Sequence, residues 1–257
     1  ESLLTDMLSN FNPDIKVTLA EGKFMHRDSV DSGRILAVNG VEAVAFTVEE
    51  TSFFDYKGSQ EVGIIKGVDR EYIRVTGLDT SLITGSARFG QETEYGILGS
   101  GMNTKLSINP DDGFTPVTAY MPSEEDKGPL AKPFRSLQIY PSGTFSVGSE
   151  VDMQYVLANY EAVNYLLGME DSFSGIEIKL SGDVSERQVM KDLTTLLGPR
   201  FKVSNRYQQD EGFLRIMNIE KWISYLIACL TLLIIAFNLV GSLWMIVLEE
   251  KLDIAIL

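Results

Sequence analysis

The chain has 257 residues, 44% of them hydrophobic, with 22 Lys and Arg against 36 Asp and Glu, a formal net charge of -14. With no Lys/Arg-rich stretch, this charge excludes nucleic acid as a partner, because phosphate binding needs concentrated positive charge. The single cysteine, Cys229, forms no intrachain disulfide and offers no zinc-ligand spacing, and the length suits one large domain or two small ones.

From the N-terminus, Leu3, Leu4, Met7, Leu8 and Phe11 recur at helical spacing until Asn12-Pro13 stops the pattern, which predicts the end of a helix over 1–12. The first residue is Glu, with no basic stretch leading into an apolar one, so the sequence reads as an excerpt of a longer chain. "DIKVTLAEG" predicts a strand and 31–39 a short helix. "VEAVAFTVEETSFFDY" and "QEVGIIKGVD" predict two strands joined by a turn at Lys57-Gly58. Much later, "SGIEIKLSG" predicts a strand, "DVSERQVMKDLTTLLG" an amphipathic helix N-capped by Asp183 or Ser185, and "RFKVSNRY" another strand. These half-units, 13–76 and 172–207, predict one layered α/β subdomain interrupted by an insertion.

The insertion, 77–171, is rich in glycine, proline and short alternating runs: "EYGILG", "TKLSIN", "PVTAYM" and "RSLQIYPSGTFSV". These predict mostly strands, with "NYEAVNYLLGM" as a helix near the close and the glycines of "LGSGMN" as a turn. Residues 121–140, "MPSEEDKGPLAKPFRSLQIY", place a long loop where a compact domain uses a short turn. Three acids, Glu124, Glu125 and Asp126, precede Pro129, Leu130, Pro133 and Phe134.

Residues 222–248, "WISYLIACLTLLIIAFNLVGSLWMIVL", contain no charged side chain. As a helix the run extends roughly 40 Å at about 1.5 Å per residue, enough to cross a hydrocarbon core of about 30 Å. Trp222 and Tyr225 near one end and Trp244 near the other suit the two interfaces. Asn238, Gly241 and Ser242 interrupt the Leu/Ile-rich surface and are the residues expected to pack against a partner helix. Upstream, "QQDEGFLRIMNIEKW" keeps helical periodicity without a breaker, so 208–221 is expected to form a stalk continuous with the span.

The stretch "RIMNIEKWISYLIACLTLLIIAFNLVGSLWMIVLEEKLDIAIL" resembles the second membrane helix of permeases of the MacB/FtsX superfamily, most of all the LolC/LolE-type lipoprotein-releasing branch. "AFNLVGSL" followed by "MIVLEEKLDIAIL" carries the match. "IIKGVD", "ILGSGM" and "SGTFSVGSEVDMQYVLAN" fall where similar phrases occur in those permeases, so the resemblance covers nearly the whole chain. It implies an α+β fold in which 13–76 and 172–207 form a Porter-like subdomain and 77–171 an inserted Sabre-like subdomain. A Hook-like loop spans 123–135, the stalk helix 208–221, the transmembrane helix 222–248 and the start of a cytoplasmic segment 249–257. One membrane helix would precede residue 1 and two would follow residue 257.

The resemblance also implies the work. Such a chain is the permease subunit of an ABC transporter in the bacterial inner membrane, with most of its residues on the periplasmic side. It would extract lipoproteins and pass them to a periplasmic LolA-like carrier by mechanotransmission. The chain has no GxxxxGK[ST] motif, and the resemblance assigns ATP hydrolysis to a separate cytoplasmic ATPase subunit. Expected partners are that ATPase, a second permease subunit (a paralogue or a second copy), the carrier, the lipoprotein and membrane lipid. No cofactor, metal or catalytic residue is implied. Pro129, Leu130, Pro133, Phe134 and Arg135 would bind the carrier; prolines lower the entropy lost on docking, and Leu and Phe supply burial. Ile223, Leu226, Leu230, Leu233 and Phe237 would border the acyl-chain cavity, and Glu250 and Asp253 would contact the ATPase.

An enzyme is the competing class, but His26 near Asp28 has no nucleophile or metal partner in the sequence. The acidic pairs Glu49-Glu50 and Asp111-Asp112 lack EF-hand spacing. Within the superfamily, a MacB-like efflux permease and an FtsX-like regulator of cell-wall hydrolases remain alternatives. The former carries its ATPase fused ahead of the first membrane helix, and the latter usually has a smaller extracytoplasmic domain.

Overall fold

A computed structural model describes residues 11–89, 94–109, 112, 114–123, 133–147, 150–182, 184–209 and 211–254. The helix expected over 1–12 lies outside them apart from its last two residues, as does Asp183. The chain divides into two compact units, 1–209 and 210–257.

The first unit runs β1 (Ile15–Leu19), β2 (Met25–His26), α1 (Ser32–Leu36), β3 (Val41–Tyr56), β4 (Ser59–Val68) and α2 (Tyr72–Thr76). It continues with β5 (Leu82–Gly85), β6 (Tyr95–Gly99), α3 (Ser100–Lys105), β7 (Val117–Pro122), β8 (Phe134–Phe145), β9 (Tyr155–Asn159) and α4 (Tyr160–Leu167). It closes with β10 (Ser172–Phe173), β11 (Gly175–Leu180), α5 (Glu186–Leu197), β12 (Phe201–Asn205) and α6 (Arg206–Gln209). One mixed sheet is ordered β12-β1-β11-β3-β4-β9-β6-β8-β5, with β7 paired to both β3 and β8, while β2 and β10 form a small separate ladder.

The hairpin β3–β4 is the backbone of this sheet. It pairs without a slip from Thr47↔Val68 to Tyr56↔Ser59. Lys57 (φ 51°) and Gly58 (φ 89°) both turn in the left-handed region, the conformation a two-residue hairpin requires. The first part of β3 pairs with β11 and its far end, at residues 53–55, with β7. One 16-residue strand therefore runs through both the predicted α/β subdomain and the predicted insertion. The parallel ladder Ile64↔Tyr155 to Val68↔Asn159 joins β4 to β9 beside it.

Residues 43–48 are buried on both faces, which is why "AVAFTV" reads as a continuous apolar run instead of an alternation. Val44, Phe46 and Val48 share one core with Ile35 of α1, Val163 and Leu166 of α4, and Val189 and Leu193 of α5. Ala43 and Ala45 face a second core with Phe11, Val68, Tyr72, Ile97, Phe145 and Leu157.

Two local expectations are corrected. "LGSGMN" does not form a turn, and "TKLSIN" does not form a strand: β6 ends at Gly99 and α3 covers Ser100–Lys105. Met102 and Leu106, four residues apart, are both fully buried, so the apolar spacing that matters here is helical. "RFKVSNRY" stops as a strand at Asn205, whose side-chain oxygen accepts the Gln208 amide hydrogen (2.9 Å) and starts α6. Ser185 stands at the N-cap of α5 without a side-chain capping bond.

The second unit holds one helix, α7 (Glu211–Ile254). Its stretch Lys221–Met245 is long and apolar enough to cross a membrane and is wholly exposed within this chain. Residues 246–248 of the expected span continue the helix. The Thr231 hydroxyl donates to the Ile227 carbonyl (2.9 Å), so its polar group is satisfied within the helix, as a lipid environment demands.

Candidate functional site

The loop expected to bind a carrier opens from the β7–β8 hairpin. Pro122 pairs with Phe134, and the Ser123 amide donates to the Pro133 carbonyl (3.0 Å), closing the mouth. Pro129, Leu130 and the three acids lie outside the described residues. Pro133 is exposed and Phe134 is 56% exposed. The strand pairings Phe134↔Pro122, Phe53↔Tyr120 and Phe53↔Val62, with Tyr120 and Pro122 two apart on β7, put all five residues on one face of the sheet. The Phe53 and Tyr120 rings lie 6.3 Å apart. An outward apolar row therefore runs from the loop mouth across four strands.

Arg135 follows Phe134 on β8 and faces the opposite way. Its Nη1 donates to the Tyr165 carbonyl (3.4 Å) at the C-terminal end of α4, where helix carbonyls favour a cation. The guanidinium lies over Gly168, which ends α4 at φ +73°; a Cβ there would fall 1.9 Å from Nη1. Gly168→Ala is expected to cost about 1–2 kcal/mol by combining backbone strain with expulsion of Arg135. In an Arg135→Ala background the cost should shrink to the strain alone, a difference that denaturant titration of the four proteins in a mutant cycle measures.

On α7, Ile223, Leu226, Leu230, Leu233 and Phe237 form one stripe, and Asn238, Gly241 and Ser242 another, roughly a quarter-turn away at about 3.6 residues per turn. All eight are exposed. The two stripes meet at Gly241, which lies about five turns along from Ile223 on the same side of the helix. Glu250 and Asp253 fall in the last turns of the helix, with their side chains outside the described part.

Farther along the face of the sheet that carries the apolar row, four residues from Phe53 on β3 and from Val62 on β4, Glu49 and Lys66 belong to a buried charge network. Lys16 of β1 bonds Glu49 of β3 (2.8 Å), and Lys66 of β4 bonds Glu177 of β11 (2.6 Å) and lies 4.0 Å from Glu49. Lys66 is 2% exposed and Glu177 not at all. Burial alone lowers the Lys66 pKa, but the charges of Glu177 and Glu49 outweigh it and hold the ammonium above its usual range. Burial likewise opposes ionisation of Glu49, and Lys16 with Lys66 overrides it, bringing its pKa to about 2. Burial, then the Glu177 and Glu49 charges, push the Tyr72 phenol well above its ordinary value. Glu177 Oε2, Glu49 Oε2 and the Tyr72 hydroxyl make no hydrogen bond to protein, so the network is charge-paired without being fully satisfied.

Over this network sits Phe11, 5% exposed. The Lys66 ammonium lies 4.9 Å from the centres of the Phe11 and Tyr72 rings. Phe11 stacks on Phe145 of β8 (5.8 Å) and meets Tyr155 of β9 edge-on (5.0 Å). Two residues on, the Pro13 carbonyl accepts from Gln209 Nε2 (3.0 Å), and Asp14 accepts from Arg206 Nη2 (2.9 Å) and the Leu180 amide (2.8 Å). Residues 13–14 are thereby tied to α6, two residues before α7 begins.

Among the described residues no group of three or more His, Cys, Asp or Glu is placed to hold a metal ion. His26 Nδ1 accepts the Asp28 amide hydrogen (3.3 Å) and caps a short turn. Glu49 and Glu50 are each paired with a lysine, Lys16 and Lys23 respectively. Asp112 accepts from the Thr115 hydroxyl (2.8 Å) and pairs with Lys57 at the hairpin turn; Asp111 lies outside the described residues.

No family model matches the chain. The lipoprotein-releasing system transmembrane protein LolC of Xylella fastidiosa (strain Temecula1) is 28% identical over 191 residues, covering 74% of this chain and 45% of that protein. LolC of Neisseria meningitidis serogroup B is 26% identical over 166 residues, covering 62% of this chain and 36% of that protein. The chain is similar to LolC in sequence over about three quarters of its length. It spans less than half the length of the LolC proteins it matches. Its fold is similar to the periplasmic region of MacB from Actinobacillus actinomycetemcomitans, at 14% identity and a TM-score of 0.53, covering 83% of this chain and 98% of that one. The extracellular domain of the noncanonic ABC-type transporter YknZ from Gram-positive bacteria superposes with a TM-score of 0.50 at 15% identity, covering 74% and 99%.

Of this apolar row, sequence reasoning named Phe134 but missed Phe53, Val62 and Tyr120. The adjacent pair Phe53-Phe54 held the signal: on a strand one ring must face out, and Phe53 does while Phe54 is buried. The buried network gave no signal, because polar residues alternating along a strand ordinarily mark its solvent face.

Proposed function

We propose that this chain is the permease subunit of an ABC transporter that extracts lipoproteins from the bacterial inner membrane and passes them to a periplasmic LolA-like carrier. The observation that carries this reading is the β7–β8 mouth. In a relative of LolC, a long proline-bearing loop opens beside exposed Phe134 and onto an apolar row of Pro122, Tyr120, Phe53 and Val62. A carrier that shields acyl chains presents apolar surface, and this row offers it a matching one.

In this reading the first unit is periplasmic, with 13–76 and 172–207 as the Porter-like part and 77–171 as the Sabre-like part. Residues 208–221 are the stalk, 222–248 cross the bilayer and 249–257 enter the cytoplasm. Pro129, Leu130, Pro133, Phe134 and Arg135 contact the carrier, Arg135 from the base of the loop. Ile223, Leu226, Leu230, Leu233 and Phe237 border the cavity for acyl chains, while Asn238, Gly241 and Ser242 pack on a neighbouring helix. A separate ATPase touching Glu250 and Asp253 supplies the energy, and a second permease subunit, paralogue or copy, completes the assembly.

The test is a pull-down of the purified full-length permease with its LolA-like carrier. Phe134→Asp combined with Leu130→Asp is expected to reduce capture at least 100-fold while leaving circular dichroism unchanged. Capture equal to wild type would remove the loop from the function and the carrier from the partners.

A further inference from the structure

The four residues Phe11 to Asp14 join parts of the fold that are far apart in sequence. At one end Phe11 is seated against Phe145, Tyr155 and Lys66, on β8, β9 and β4. At the other, Pro13 and Asp14 hold Gln209 and Arg206 of α6. Between them Pro13 fixes its own φ and restricts Asn12, so little of a displacement is taken up by backbone rotation.

We propose that this segment is a mechanical joint, with Phe11 as its pin, that carries movement of the chain at α6 into β8 and β9. The seat is built for directional contact. Phe145 stacks on the Phe11 ring, Tyr155 meets it edge-on and Lys66 lies over it, and each contact has a preferred geometry that an aliphatic side chain lacks. Lys66 is itself held by Glu177, so the socket is anchored to β11 through a buried ion pair. Coupling through a packed structure requires an element with two arrangements; the one proposed is the Phe11 ring, seated here against Phe145 and Tyr155 and withdrawn when the joint yields. Its consequence for transport rests on the permease reading above; the coupling between α6 and β8–β9 does not.

The experiment is amide hydrogen exchange on the full-length permease in detergent or nanodiscs, for wild type, Phe11→Ala, Arg206→Ala and the double variant. Phe11→Ala is expected to speed exchange around Phe145 and Tyr155 at least tenfold while leaving β11 unchanged. Arg206→Ala should speed the same amides about threefold in wild type and not further in the Phe11→Ala background. Additive effects, or no effect of Arg206→Ala on β8 and β9, overturn the joint. Faster exchange throughout the sheet in Phe11→Ala also overturns it, by reducing Phe11 to an ordinary core residue. Phe11→Leu provides the reading if Phe11→Ala does not fold: it keeps apolar volume, and the same β8–β9 loosening is expected because the ring contacts are gone. In the ATPase-bound complex, Phe11→Leu should retain ATP hydrolysis and lose lipoprotein release at least tenfold. Absence of release in wild type itself would reject the permease reading, with the exchange result still deciding the joint.

Discussion

Lys66→Met is expected to destabilise the first unit by about 3–5 kcal/mol, the largest effect of any single change in the charge network. The cause is not the lost ion pair as such. It is Glu177, fully buried, whose carboxylate loses the ammonium 2.6 Å away that compensates its charge. Removing both charges tests this directly. Lys66→Met with Glu177→Leu leaves no orphaned charge, and its stability should return to within about 1 kcal/mol of wild type, because buried ion pairs exchange for apolar packing at little net cost. Both tryptophans, Trp222 and Trp244, lie in α7, so their fluorescence does not report on the sheet. Denaturation of the detergent-purified chain is better followed by circular dichroism or by exchange at β3 and β11. A single variant as stable as wild type would mean that the four groups do not act as a network.

Glu49→Gln is expected to remove a large part of the acid sensitivity of the same unit. The Glu49 carboxyl has a folded pKa of about 2 against an ordinary 4.5, held down by Lys16 and Lys66 against the opposing effect of burial. A carboxyl whose pKa is depressed on folding stabilises the fold fully above its unfolded value. That stabilisation fades as pH falls from about 4.5 toward 2. Glu49 remains 24% exposed at its side chain, which moderates the contribution to about 1–3 kcal/mol. The denaturation midpoint of wild type should therefore drop between pH 5 and 3 more steeply than that of Glu49→Gln, whose stability is lower at pH 7. Parallel pH curves for the two proteins would show that Glu49 is not the titrating group.

Several elements could be read directly from the chain. The uncharged run over 222–248 declares a membrane-length helix, because no aqueous surface accommodates so many apolar side chains in sequence. Alternation in "DIKVTLAEG", "PVTAYM" and "RSLQIYPSGTFSV" marked β1, β7 and β8, since a half-buried strand must repeat every two residues. The loop at 123–135 stood out by its length and prolines. Near misses occurred where two periods fit a short window: "TKLSIN" satisfies strand alternation, yet Met102 and Leu106 bury together at helical spacing.

What the linear order of residues determined was thus what local periodicity sets, the strands, the amphipathic helices and the membrane-length helix, together with the likeness to LolC carried by phrases such as "AFNLVGSL" and "MIVLEEKLDIAIL". What tertiary structure alone decided was which polar residues are inside and which apolar ones are outside. Lys16, Glu49, Lys66 and Glu177 come from strands up to 111 positions apart for one bonded pair, and only their adjacency in the sheet turns four apparently solvated charges into a buried set. Phe11, expected on a helix face, proves to be seated between β4, β8 and β9, and Phe53 is turned outward beside Tyr120. The reason is physical: periodicity tells a strand's two faces apart, but the covering of each face depends on non-local pairing that no short window contains.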